Sequence, residues 1–288
     1  MKIIDKLSRQ EILERVSAVP FWLHSIDVGE GIVTPGQGTP AGLKKVLELM
    51  RLPNLKGKTV LDINTWDGYF AFEAERRGAD SVTAIDYYVW SMDLGEHIRY
   101  WKECSTWGIP TGNYEKMPYY RPEELPGKIG FDTAHALLKS RVKPIVANFM
   151  EMDLDALGTF DITFFLGSLY HMHNPFESIK RLAKVTRDLA VIETEAAEFP
   201  GFGSKALCEF FEGSELNNDY STWWAPNVRA LMGMCRAAGF QQVELVQGPR
   251  IWSKFKLTTI GKNLIKYRKV STVWRHRAIV HARKVAAQ

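Results

Sequence analysis

The chain has 288 residues, 45% of them hydrophobic and 12% aromatic, and a formal net charge of +4. Disorder would need few aromatics and a high net charge, so this composition excludes it and suffices for one α/β core with additions. The three cysteines, Cys104, Cys208 and Cys235, lie far apart in no CxxC spacing, which excludes a disulfide framework and a zinc ribbon.

In chain order, Ser8 and Glu11 form a capping-box signature ahead of Ile12, Leu13 and Val16, predicting a helix to about Val19. The glycine-rich stretch Gly29 to Gly38 reads as loop, and Thr39-Pro40 opens a helix to about Met50. Strands are predicted at 59–63, 81–85, 144–148, 160–165 and 189–194, with helices at 68–77, 132–140, 175–186 and 226–238. Asp132 is expected to cap the second of these helices, and residues 87–130 read as irregular. A strand at 242–246 and a long last strand at 272–285 complete the series. Residues 1–56 thus form an N-terminal helical prefix or lid, ahead of a domain at 57–288 whose strand-helix alternation implies a mostly parallel sheet covered on both faces.

Charge is unevenly spread. From Leu245 onward there are eleven Lys or Arg and no acid, leaving 26 basic against 33 acidic residues upstream. That basic connection and tail could meet nucleic acid, a phosphorylated substrate, an anionic membrane surface or the acidic body itself. No apolar run approaches the roughly 18 residues of a membrane span, and the opening MKIIDKLSRQ is too polar for a signal peptide. A cytoplasmic protein is expected.

Open parallel sheets bind ligands beyond the carboxyl ends of their strands. After the first such strand the chain reads Asp62-Ile-Asn64-Thr-Trp66-Asp67-Gly68. A dinucleotide fingerprint needs GxGxxG, and Asn64 and Trp66 occupy the first two glycine positions. The turn fits a cofactor without a pyrophosphate, with Asp62 as acceptor, Gly68 as the close glycine and Asn64 tolerating left-handed backbone angles. Asp86 ends the second strand about 20 residues on, where a ribose-binding carboxylate is expected. Trp66 and Tyr87 are read as lining the cofactor, with core packing as the alternative.

The fourth strand runs into Gly167-Ser-Leu-Tyr170-His171-Met-His173. Tyr170 and His171 are the catalytic candidates, His171 as general base and Tyr170 for positioning; a structural role for His171 has equal standing. His24, Glu195, Trp223, Trp224 and Asn227 are candidates for acceptor binding. The histidines have no companion cluster of Cys, Asp or Glu, so no metal is expected.

Taken together, Pro20-Phe21, the turn at 60–70, Gly-Ser-Leu-Tyr-His at 167–171, Glu193-Thr194 and the aromatic-Pro segment before the last helix resemble the class I methyltransferase superfamily. More narrowly they resemble the branch of the tRNA wobble-uridine carboxymethyltransferase and its small-molecule relatives. The resemblance implies a doubly wound, mostly parallel seven-stranded Rossmann-like sheet and S-adenosylmethionine as cofactor, leaving S-adenosylhomocysteine. It also implies that Asp62 and Gly68 flank the methionine part, that Asp86 binds the ribose, that Asn148 and Phe149 lie near the adenine and that Gly167 lines the site. The tRNA enzyme grips a carboxylated cofactor partly with a lysine before its Pro-Phe pair. Ala18 stands there, so ordinary S-adenosylmethionine and a small acceptor, through O-methylation, are favoured over wobble uridine. The alternative is an RNA-modifying or RNA-binding factor, for which the basic tail and Trp252, Phe255, Tyr267 and Trp274 speak.

Overall fold

A computed structural model describes residues 7–199, 201–249 and 273–285. Its centre is a seven-stranded sheet, numbered here β1 (Thr59–Ile63), β2 (Ser81–Asp86), β3 (Lys143–Val146), β4 (Phe160–Leu166), β5 (Thr186–Glu198), β6 (Gln242–Gln247) and β7 (Trp274–Arg283). The spatial order is β3-β2-β1-β4-β5-β7-β6. Neighbours from β3 to β5 pair in parallel, while β7 runs antiparallel to both β5 and β6. Strand order reverses between β1 and β4, which makes the tips of these strands the ligand crevice of such a sheet.

Eight helices surround the sheet among the described residues: α1 (Arg9–Ser17), α2 (Pro40–Met50), α3 (Tyr69–Arg76), α4 (Leu94–Trp107), α5 (Ile129–Leu138), α6 (Leu154–Leu157), α7 (Pro175–Val185) and α8 (Val228–Ala237). Side chains alternate across the strands, so the central ones feed two cores. Val60, Val82, Ile162 and Val191 join Ile12, Met50, Phe72 and Phe131 from α1, α2, α3 and α5 on one face. Leu61, Ile85, Phe165 and Ile192 join Leu154, Leu182 and Leu231 from α6, α7 and α8 on the other. The expected capping box on α1 is present, with Ser8 Oγ accepting from the Glu11 N–H.

Four expectations are corrected. Residues 87–130 contain the 14-residue helix α4, capped by the Asp93 side chain and ended by left-handed Gly108. Asp132 lies inside the first turn of α5 rather than capping it, because a short turn at Pro126–Lys128 starts the helix three residues earlier. Pro226 ends a short strand, Trp224–Pro226, paired with Cys208–Phe210, and α8 begins after it with Asn227 as cap. The last strand begins at Trp274, and seven of the eleven basic residues, Arg250 to Lys269, lie outside the described residues. Of those described, Arg275 pairs with Glu209, Arg277 with Glu193 and Glu195, and Arg283 with Asp188, so this part of the tail meets the acidic body itself.

Candidate functional site

The turn after β1 is built from left-handed backbone: Asn64 has φ 61°, Trp66 55° and Gly68 87°. Only the last is glycine, and a Cβ there would lie 2.5 Å from Phe72 and 2.8 Å from Phe131. Gly68 is therefore demanded both by its angle and by the packing of α3 and α5. The Trp66 N–H donates to Asp86 Oδ2 at 2.9 Å and the Val89 N–H to Oδ1 at 3.2 Å, so the β2 carboxylate holds the β1 turn in shape. Thr65 Oγ1 donates to Asp62 Oδ2 at 2.6 Å.

Both carboxylates are buried beneath the crevice, at 2% and 1% exposure. Burial pushes Asp62 up to about 7, outweighing the Thr65 hydrogen bond and the nearby His24. It pushes Asp86 up to about 6, against the pull of the N–H groups of Trp66, Val89, Tyr87 and Trp90. A desolvated pair of acids at the point of strand reversal is the kind of perturbation that marks ligand sites.

Asp67, which no local sequence signal marks, ties the prefix to this turn. Its carboxylate accepts the N–H groups of Leu23 at 3.0 Å and His24 at 2.8 Å and contacts His24 Nδ1. The imidazole of His24 stacks on Tyr69 with centroids 5.4 Å apart. Tyr87 is half-buried beside Asp86. Asn148 follows β3 and accepts the Met150 N–H at 3.0 Å, and Phe149 is buried 6.2 Å from Phe165 with Arg181 over its ring.

A second group forms at the tips of β4 and β5. Left-handed Gly167 donates its N–H to Glu193, to the backbone carbonyl at 2.9 Å and the carboxylate at 3.1 Å. A tight turn at Leu169–His171 follows. Tyr170 and His171 have ring centroids 4.2 Å apart, and the Arg277 guanidinium lies 5.0 Å over Tyr170 while pairing with Glu193 and Glu195. Burial opposes the Arg277 charge, yet Glu193, Tyr170 and Glu195 hold its pKa above the ordinary value. Trp223 donates its N–H to the Tyr170 carbonyl at 2.7 Å, and Trp224 Nε1 donates to the His173 carbonyl at 3.1 Å.

The structure thus brings together Tyr170, His171, Trp223, Trp224 and Glu195, but gives Asn227 another task. At 1% exposure, Asn227 Oδ1 accepts the N–H groups of Ala230 and Leu207, and its Nδ2 donates to the Lys205 carbonyl. Its polar atoms are consumed in capping α8 and in holding the 205–207 segment against it. The partners of His171 come from the segment just before the two tryptophans: Nδ1 lies 3.0 Å from the Ser221 carbonyl and 2.9 Å from Ser221 Oγ, which donates to Asp219 at 2.7 Å. Among the described residues there is no group of three or more His, Cys, Asp or Glu able to hold a metal ion, and no helix long and apolar enough to cross a membrane.

Sheet order, flanking helices and the acid-bearing tips of β1 and β2 define the class: this is the Rossmann-like fold of the class I methyltransferases. A structure titled as the N-terminal domain of EvdMO1 with SAH and D-fucose shares it at TM-score 0.56 and 15% identity, covering 97% of this chain and 98% of that one. Phosphoethanolamine N-methyltransferase 2 of Haemonchus contortus, bound to S-adenosyl-L-methionine, shares it at TM-score 0.52 and 13% identity, over 86% of this chain and 54% of that one. In sequence the chain resembles tRNA U34 carboxymethyltransferases. That of Psychrobacter cryohalolentis is 29% identical over 201 residues, which are 68% of this chain and 46% of the relative, so the match spans about half of that protein. No protein-family model matches the chain.

Proposed function

We propose that the chain is an S-adenosylmethionine-dependent methyltransferase acting on a hydroxyl group of a small molecule. The cofactor supplies, when bound, a methyl group that is already activated. Asp86 would hold the ribose hydroxyls, Asp62 and the Gly68 turn would flank the methionine part, and the Asn148–Phe149 segment would line the adenine. Burial disfavours the ionised form of Asp62, and a cationic ligand beside it would favour that form in turn.

The observation that carries the hydroxyl reading is the His171 relay. The Ser221 carbonyl can only accept, and Ser221 Oγ already donates its proton to Asp219, so His171 Nδ1 must be the protonated nitrogen. Nε2 is left with its lone pair, the arrangement a general base requires. Burial lowers the His171 pKa, which keeps the ring neutral at physiological pH. The base takes the hydroxyl proton as the oxygen attacks, and Asp219 stabilises the resulting imidazolium through Ser221. Holding the two reactants in line can supply roughly 7–11 kcal/mol, and the base a further ~10²–10⁴-fold. His171→Ala should therefore lower turnover by ~10²–10⁴-fold with cofactor affinity unchanged in calorimetry. A loss shared equally by cofactor binding would make His171 structural.

A second reading, action on tRNA, is favoured by the names of the sequence relatives. Against it, Arg275, Arg277 and Arg283 are spent on the body's own acids. A binder making several phosphate contacts loses affinity steeply with salt, so a salt titration of tRNA binding separates the two.

A further inference from the structure

His24 belongs to the prefix, yet its ring is placed by the β1 turn and the start of α3: Nδ1 meets Asp67, and the ring stacks on Tyr69 and stands edge-on to Phe70 at 5.5 Å. The backbone behind it is fixed as well. The N–H groups of Leu23 and His24 both go to Asp67, and Thr34 Oγ1 donates to the His24 carbonyl at 2.8 Å. Gly36 passes so close that a Cβ there would lie 2.0 Å from the His24 carbonyl carbon. A ring held this firmly keeps one direction, the condition for a preorganised binding group. Asp67 is 2% exposed and accepts two backbone N–H groups besides meeting the ring, so Nδ1 is the donor of that contact. The opposite nitrogen, Nε2, makes no hydrogen bond with a described residue and is not buried, so it forms the open edge of a side chain that is 13% exposed.

The charges around this edge are one-sided. Asp62, Asp67 and Asp86 are all buried in or beneath the turn. His24 acts on Asp62 as a cation, whereas Arg76 and Arg77 pair with Glu73 and Lys128 pairs with Asp132. The methionine part of S-adenosylmethionine is a zwitterion, and the proposed cofactor pose sets it beside Asp62. Its ammonium suits that carboxylate. Its own carboxylate is disfavoured among three acids unless a donor stands against it, and His24 Nε2 is the donor that this turn offers.

We propose that His24 is a cofactor-binding residue: its ring, pinned by Asp67 through Nδ1, donates from Nε2 to the carboxylate of the methionine part, while Asp62 takes the ammonium. Donating from both nitrogens makes the ring an imidazolium lying between two carboxylates. The proposal rests on the methyltransferase reading and moves His24 from the acceptor to the cofactor. S-adenosylmethionine and its decarboxylated form, which lacks only that carboxylate, are titrated calorimetrically into the full chain as wild type and as two variants. An asparagine amide reaches where Nδ1 does and a glutamine amide where Nε2 does, so His24→Asn keeps the bond to Asp67 and His24→Gln keeps the outer donor. His24→Asn should bind S-adenosylmethionine roughly 10–100-fold more weakly, the worth of a hydrogen bond to a charged group, and the decarboxylated form within about threefold of wild type. His24→Gln should recover about threefold or more of that loss. A ring that merely packs would weaken both compounds alike. Unchanged S-adenosylmethionine binding by His24→Asn, an equal loss for the two compounds, or His24→Gln binding no tighter than His24→Asn would overturn the assignment. A wild type that binds neither compound would instead refute the methyltransferase reading, and the role of His24 with it.

Discussion

Replacing Asp62 by Asn keeps the shape of the residue and its contact with Thr65 while removing the ability to ionise. In the wild type the folded-state pKa is raised to about 7 against an ordinary 3.8, so the folded chain binds this proton more tightly than the unfolded chain does. The stabilisation this gives is fully present below pH ~3.8 and is lost as pH rises through about 7. Integrated from pH 5 to pH 8, these two values make the wild type lose roughly 2–3 kcal/mol that Asp62→Asn does not. Urea unfolding of both proteins at half-unit steps of pH gives the difference, which includes the change that losing the Asp62 charge makes in its neighbour Asp86. Asp86 titrates in the same window and is coupled to Asp62, so the double variant should show less than the sum of the two slopes. Parallel stability curves for wild type and Asp62→Asn across pH 5–8 would refute the reasoning and mean that the carboxylate is hydrated rather than desolvated.

Asp86→Asn should weaken S-adenosylmethionine by roughly 10–100-fold in calorimetry, the worth of a hydrogen bond to a charged acceptor; undiminished affinity would remove Asp86 from the ribose. Ala18 offers no cation beside the prefix, so competition should show no preference for a carboxylated cofactor over the ordinary one; a clear preference would revive the tRNA reading. Asn227→Ala should destabilise by about 2–4 kcal/mol in urea, through a lost cap and a buried Leu207 N–H left unpaired, with cofactor affinity unchanged.

What the sequence made legible follows from how local each signal is. β1, β2 and β4 are short apolar runs bounded by turn residues, and Asn64 is one of the few side chains that accept φ 61°. Helix α4 carried its signals too, in Asp93, Gly108 and the buried series Leu94, His97 and Cys104, but the density of aromatics around it hid the period. Asn227 lies three residues after Trp224, and an Asn directly before a helix is first of all a cap. The pairs that organise the site leave no spacing to read, since His24 and Asp67 are 43 residues apart and His171 and Ser221 are 50 apart.

The antiparallel insertion of β7 has a consequence for how the chain folds. β6 reaches the sheet only through β7, which itself pairs along β5 from Leu189 to Glu198. During synthesis, residues 242–247 are made some thirty residues before the strand that anchors them, so β5 must wait as an open, apolar edge. Such an edge is a template for pairing with another chain. A nascent protein halted before Trp274 should therefore be far more prone to aggregate than one halted after Arg283, and truncations near this end will register as lost solubility before lost activity.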